Sequence, residues 1–321
     1  MIKSAEFASE RKRRRHIVVA LALFLWLVWV LGQVFRDSTW LTGIFFYIPS
    51  PVLVFFLLGC SCYFWRMDHR FIARLLASLA LLPAFTVLRV ENHFSTVKHN
   101  MVHENTLRLL HWNIFYGHFG WNGIENVLRQ SKADICVLSE IPKKLDIQAT
   151  ARSFGQGYYA TRINNLAVIT RGAILDGKWL INQNGVRAYG IVWESPQGNC
   201  RVLVVDMASN PLLSREPRLL QIRMLMVDWG ADIVVGDFNA PRRSRALSPL
   251  PSGFVHAYET AGSGCSYTWP LPCPVYAIDQ CILGPRIRPV EYDLESSWRS
   301  DHRRQILDFT IDELVQLNPT F

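Results

Sequence analysis

Between Ile17 and Phe35 the chain runs for 19 residues without an ionisable side chain, directly after Arg11-Lys12-Arg13-Arg14-Arg15. At about 1.5 Å of rise per residue, such a helix covers roughly the 30 Å hydrocarbon thickness of a bilayer. No other feature constrains the chain as much. Leu41 to Trp65 is a second uncharged run, 25 residues long and interrupted by Pro49 and Pro51. Phe71 to Val90 is a third, with Arg74 and Arg89 near its ends, where long cationic side chains can reach the interfaces. The first run is longer than a signal peptide's apolar region of about 7–15 residues. The pattern predicts three transmembrane helices, at about 17–35, 41–65 and 71–90, in a membrane region over 17–92 behind a basic tail at 1–16.

Charge supports that division. Of 34 Lys+Arg and 26 Asp+Glu, twelve basic and five acidic residues fall in the first hundred positions, leaving a near-neutral 22 and 21 beyond them. A nucleic-acid-binding domain carries its basic excess on the folded domain, as a footprint for phosphates. Here the excess flanks apolar runs, where it orients helices in a lipid bilayer. Six Lys/Arg in the tail and two in Arg66-Met67-Asp68-His69-Arg70 place both in the cytoplasm by the positive-inside rule. Three spans then put a domain over 101–321 on the extracytoplasmic, periplasmic side of a cell (inner) membrane. No obligate protein partner is indicated. The apolar third has no mid-membrane ionisable pair, which argues against a transport path.

Beyond Leu107, short apolar strands alternate with helix-like segments. Strands are predicted at Leu107–Trp112, Asp134–Leu138, Tyr158–Ile163, Leu166–Thr170, Arg187–Trp193, Arg201–Val205, Ile233–Val235, Ala277–Leu283 and Gln305–Phe309, and helices at Trp121–Ser131 and after Pro211. This is an α/β pattern richer in strands than helices, which favours two packed sheets. Cys265 and Cys273, eight apart in a loop, are close enough to bridge in an oxidising compartment.

Acidic and amide side chains recur where apolar strands end. Asn113 follows Leu-Leu-His-Trp, Glu140 follows Ile-Cys-Val-Leu-Ser, and Asp237 and Asn239 follow Ile-Val-Val. Asp279 lies in Ala-Ile-Asp-Gln-Cys-Ile-Leu, and Asp301-His302 precedes a final strand. One carboxylate at a strand end is ordinarily a turn or cap residue. Several on one rim make an oxygen-rich site for a hard divalent cation.

Trp112-Asn113, Ser139-Glu140, Gly236-Asp237-Phe238-Asn239, Ile278-Asp279 and Ser300-Asp301-His302 occur in order over Leu107–Ile311. In this set the chain resembles the endonuclease/exonuclease/phosphatase (DNase I-like) superfamily. The resemblance implies a four-layer α/β/β/α sandwich and metal-assisted hydrolysis of a phosphoester, whether in nucleic acid, a lipid headgroup or a small molecule. It implies that Glu140, Asn113 and Asp301 bind Mg²⁺ or Mn²⁺. Asp237 would orient or deprotonate water, Asn239 would hold the phosphate or that water, and Asp279 would support a protonated His302. Asn113, Asn165 and Asn210 would contact substrate. The chain departs from the pattern after the Arg201 strand. Many members place a histidine or tyrosine there, and this chain has Asp206-Met207-Ala208-Ser209-Asn210-Pro211. His111, His118 and Tyr116 are the substitutes available from the first loop. The departure favours an alternative, a tethered domain that binds a ligand or partner without catalysis. Arg242, Arg243 and Arg245 either grip outer phosphates or form a solvated face. Trp269 is either a packing residue or a substrate platform.

Overall fold

The computed structural model describes residues 2–94 and 105–312; residues 101–104 and 313–321 of the expected domain lie outside them. The chain divides into two compact units, Met1–Asn92 with Pro211–Arg215, and His93–Asn210 with Glu216–Phe321.

In the first unit the basic tail and the first apolar run form one helix, α1 (Ile2–Phe35), followed by α2 (Trp40–Phe46), α3 (Ser50–Arg66), α4 (Arg70–Phe85) and a wide π-type turn over Thr86–Glu91. The expected second span is not a single helix, because α2 and α3 meet at 59°. Pro49 caps α3 and Pro51 lies in its first turn. Neither has a backbone N–H to continue the ladder of α2, and a helix start is where proline costs nothing. The third run forms one helical path of 22 residues, Arg70–Glu91, with Pro83 inside it. Proline cannot donate to the Leu79 carbonyl one turn back, and the Trp26 indole N–H of α1 donates to that oxygen instead, at 3.0 Å. Two helices, Lys12–Phe35 and Arg70–Glu91, are therefore long and apolar enough to cross a membrane, and the bent pair adds a third only if it counts as one span. Trp29, Leu53, Leu57, Phe64 and Leu76 pack inside this unit, while Phe55 and Phe71 point outward, 76% and 80% exposed. Helices apolar on both faces have no side suited to water.

The second unit holds two six-stranded sheets. The first is ordered β11 (Ile287–Glu295), β12 (Arg304–Ile311), β1 (Leu107–Asn113), β2 (Ile135–Ser139), β4 (Leu166–Arg171), β3 (Tyr158–Ile163). The second is ordered β5 (Ile174–Gln183), β6 (Val186–Ser195), β7 (Gly198–Met207), β8 (Ile233–Asp237), β10 (Asp279–Leu283), β9 (Val255–His256). Strand alternation builds the layers. Leu107, Leu109, Ile135, Val137, Val202, Val204, Ile233, Val235, Cys281, Leu283, Leu307 and Phe309 meet between the sheets. Their sequence neighbours point outward: Leu110, Trp112, Cys136 and Leu138 against α5 (Trp121–Ser131) and α6 (Ile147–Phe154), Leu203, Val205 and Val234 against α7 (Glu216–Asp228). The result is the α/β/β/α order, with an apolar seam down its middle. Cys265 and Cys273 are both exposed free thiols, so the possible bridge is not formed.

Gly236 shows how tightly the second sheet is drawn. Its φ of +155° excludes ordinary side chains, and a Cβ there would lie 1.8 Å from the Val205 carbonyl oxygen of the adjoining strand. Backbone cannot yield to that extent in a buried parallel pair. Gly236→Ala is expected to cost more than about 4 kcal/mol and to remove the cooperative thermal transition of this unit by circular dichroism. A variant that melts like the wild type would contradict the packing described.

Candidate active site

The phase that fills the seam with apolar side chains also places polar ones at one end of it. Continuing each inward set by one step reaches His111 and Asn113 on β1, Ser139 on β2, Gln305 on β12, and Asp206, Asp237 and Asp279 on β7, β8 and β10. Arg187, Asp206, Asp237 and Asp279 are paired in register across β6, β7, β8 and β10, one residue per strand. Directly paired residues share a face, so these four side chains form a single row.

Contacts across the seam bind the two sheets at this row. The Asn113 amide donates to Asp237 Oδ2 at 3.0 Å, and the Asn239 backbone N–H donates to Asp237 Oδ1 at 2.9 Å. Asn239 sits at φ +46° with its side-chain N–H on the Met207 carbonyl, 2.8 Å away. His302 Nδ1 lies 2.9 Å from Asp279 Oδ2. The Ser300 hydroxyl donates to the Asn113 carbonyl at 2.6 Å and accepts from the His302 N–H at 3.0 Å, which fixes the turn carrying His302. Trp269 Nε1 donates to Asp301 Oδ2 at 2.9 Å, so this indole orients a carboxylate. Glu140, half-buried at φ +54°, accepts a hydrogen bond from Asn113. Non-glycine residues at positive φ cost about 1–3 kcal/mol each, and such residues gather at functional sites.

Charge at the seam's end is unbalanced. Glu140, Asp206, Asp237, Asp279 and Asp301 face Arg187 and His302, five carboxylates against two cations. Burial, then the nearby Asp279 carboxylate, pushes Asp237 up to about 8. Burial alone would lower His302, but the charge of Asp279 and its hydrogen bond, with Asp237 and Asp301 beyond, raise it to about 9. Burial would raise Asp279 as well, and His302 holds it below the usual carboxylate range. Burial raises Glu140 most, with Asp206 and Asp301 adding to the effect. An oxygen-rich site with this excess of negative charge fits a hard divalent cation. Among the described residues, Asp237, Asp279 and His302 are the group whose ligand atoms lie within 4.8 Å of one another. The hydrogen bond between His302 and Asp279 commits those two to each other.

Asn165 and Asp206 join the row through Arg187. Asn165 Nδ2 donates to Asp206 Oδ2 at 3.1 Å, and Arg187 donates to Asn165 Oδ1 at 2.8 Å and lies 3.2 Å from Asp206 Oδ2. Nothing in the local sequence marks Arg187. Its one signal is its position as the inward residue of β6 opposite Asp206. Asn210 is exposed, three residues past β7. His111 does not face solvent. It is fully buried, with Nε2 3.2 Å from Ser139 Oγ and Nδ1 2.7 Å from Gln305 Nε2, and burial lowers it to about 4. His118 packs its ring on Phe115, centroids 4.6 Å apart. Arg242 is buried with Nε 3.0 Å from Glu259 and its guanidinium 4.4 Å from the Tyr258 ring centroid, and Arg245 pairs with Glu216 at 3.2 Å. Each of these two arginines is thus engaged by an acidic partner.

The layer order is that of the endonuclease/exonuclease/phosphatase fold. No family model and no curated protein matches the sequence. Among solved structures, the chain is similar to D. rerio TDP2 complexed with a single-strand DNA product, at 16% identity and a TM-score of 0.53, covering 64% of this chain and 99% of that one. It is similar to an endonuclease/exonuclease/phosphatase family protein from Bacteroides thetaiotaomicron, at 15% identity and a TM-score of 0.51, over 65% and 99% of the two chains. A third, from Bacteroides vulgatus, gives 16% identity and a TM-score of 0.52 over 65% and 100%. At such identities the likeness is one of fold.

Proposed function

We propose that the chain is a membrane-anchored, divalent-metal phosphoesterase of the endonuclease/exonuclease/phosphatase superfamily. The observation that carries this is the convergence of Asn113, Glu140, Asp237, Asp279 and His302, from five separate segments, on one end of the seam. A Mg²⁺ or Mn²⁺ ion beside Glu140, Asn113 and Asp301 would neutralise charge on the phosphoryl oxygens and favour ionised Asp237. Asp237 accepts from the attacking water and aligns it. His302, charged through neutral pH and tied by Nδ1 to Asp279, has its other ring N–H for a phosphoryl oxygen. Asn239 and Asn165 line the phosphate side of the row.

The apolar helices support anchoring, with three spans and an extracytoplasmic catalytic unit as the arrangement the flanking charges favour. Near-neutral charge beyond residue 100 favours a lipid headgroup or small phosphoester over a long nucleic acid. The full-length chain in detergent is expected to hydrolyse bis-p-nitrophenyl phosphate with Mg²⁺ or Mn²⁺, to lose that activity in EDTA, and to prefer sphingomyelin to plasmid DNA. Turnover that survives EDTA, or none on any of the three, would refute the proposal.

A further inference from the structure

The outer helices of the two sheets present different faces to their surroundings. On α5 the exposed positions are Asn122, Asn126, Arg129 and Gln130, all polar, as water requires. On α7 the exposed positions are Pro217, Leu220, Met224, Val227 and, at the last residue, Asp228. Spacings of three, four and three residues set the four apolar ones in one ridge along the helix. Leu220, Met224 and Val227 are 41%, 63% and 49% exposed. The inner face of α7 is already filled, with Leu219, Ile222 and Met226 packed on Leu203, Val205 and Val234. Single exposed apolar side chains are ordinary, but a helix whose outward ridge is apolar for three turns marks an interaction surface.

Three observations say what covers it. The chain carries its own helices long and apolar enough to cross a bilayer, so lipid is the apolar phase at hand. The backbone enters α7 from Pro211–Arg215, which belongs to the same compact unit as those helices and includes Leu212, 65% exposed. The half-buried Arg218 and Arg223 flank the ridge on opposite sides, giving the apolar ridge and cationic shoulders of a helix that lies in a membrane interface. A second protein suits the ridge less well. Four side chains along about 20 Å of helix fall short of the roughly 800 Å² per partner of a standard interface.

We propose that α7 is an interfacial helix, its Pro217–Leu220–Met224–Val227 ridge lying in the headgroup boundary of the bilayer that anchors the chain. The second unit thus rests on lipid along the outer face of its second sheet. Arg218 Nε donates to the Asn184 carbonyl at 2.7 Å, in the turn that leads into Arg187, so the ridge begins at the end of the sheet that carries the row. The inference rests on the anchored reading and is independent of the chemistry at the seam.

The test uses the full-length chain in nanodiscs of phosphatidylcholine and phosphatidylglycerol. Cys60, Cys62, Cys265 and Cys273, the thiols that are not buried, are replaced by Ser. Single cysteines are then returned by Met224→Cys on the ridge, Asn126→Cys on α5 and Phe55→Cys on α3, all exposed positions, and labelled with an environment-sensitive fluorophore. The label at 224 is expected to emit further to the blue than that at 126, and to be quenched at least about twofold more by lipids spin-labelled near the headgroup, because an interfacial ridge sits about 5–10 Å into that boundary. The label at 55 reports the anchor alone. If 55 is quenched and 224 behaves like 126, the proposal is overturned and anchoring stands. If 55 is not quenched, the anchored reading has failed and this inference with it. Blue-shifted emission at 224 without quenching by lipid overturns the proposal in favour of a protein cover, and loss of that shift in discs holding one copy identifies the cover as a second copy of this chain.

Discussion

Replacing Asp237 by Asn is expected to give a protein that is more stable than the wild type and almost inert. The carboxylate is buried against Asp279, and in the absence of metal its pKa is pushed up to about 8, chiefly by burial. In the unfolded chain the same group titrates near 3.9. The raised folded value sets the sign: folding is favoured by this group at low pH, and stability is lost as pH rises from the unfolded value through about 8. The slope is at most about 1.4 kcal/mol per pH unit. Asparagine is neutral at every pH, so it removes that loss and can still accept from Asn113 or Asn239 through its one carbonyl oxygen. It cannot deprotonate or strongly align water, and turnover is expected to fall by 10³-fold or more, at the upper end of what a general base contributes, roughly 10²–10⁴. Thermal melts in EDTA at pH 7.5, beside the ester assay, check both halves. A residue conserving only structure would show the reverse pairing, a lower Tm with activity in proportion to folded protein.

Local patterns made much of this unit legible. Trp121–Ser131 and Tyr158–Ile163 form the helix and strand that their sequences predict, to the residue. The polar residues at the ends of Leu107–Asn113, Ile135–Ser139 and Ile233–Asp237 meet because parallel and antiparallel neighbours end on a common rim. What escaped were elements whose identity depends on distant partners. Ile174–Gln183 is an edge strand, mostly exposed, with two register irregularities, so its side chains carry no clean alternation of apolar and polar. Ile287–Glu295 contains Pro289 and a bulge beside it, which breaks the period of two. The break between α2 and α3 was written in Pro49 and Pro51, but an uncharged run of that length reads equally as one kinked span. Arg187 is the instructive omission. It becomes a site residue only through the order β6, β7, β8, which sets its side chain beside Asp206 and two strands from Asp237, and that order is a long-range property.

The second large effect concerns Asp279, buried and hydrogen-bonded to His302. Asp279→Asn preserves the shape and an acceptor for the His302 Nδ1–H but removes the charge that outweighs burial at that imidazole. In the wild type His302 titrates at about 9, so its stabilising interaction with Asp279 is complete below the unfolded value near 6.5 and lost as pH rises through 9. The depressed Asp279 contributes the acid-side counterpart, present above 3.8 and lost as pH falls through its lowered folded value. With asparagine in place, the largest charge that raises His302 is gone and its pKa moves down from about 9. At pH 8 more of the variant's imidazole is then neutral and without a proton on one of its nitrogens. A rate loss of about 10²–10³ is expected there, the cost of one preorganised donor to the developing charge. The wild-type pH–rate profile between 5 and 10 should stay level on its alkaline side until about 9, while that of Asp279→Asn should begin its descent at a lower pH and recover part of its rate in acid. A merely structural role for Asp279 would lower the rate by one factor at every pH and leave the alkaline limb where it was. Displacement of that limb is therefore what separates an electrostatic role for the buried carboxylate from a packing one.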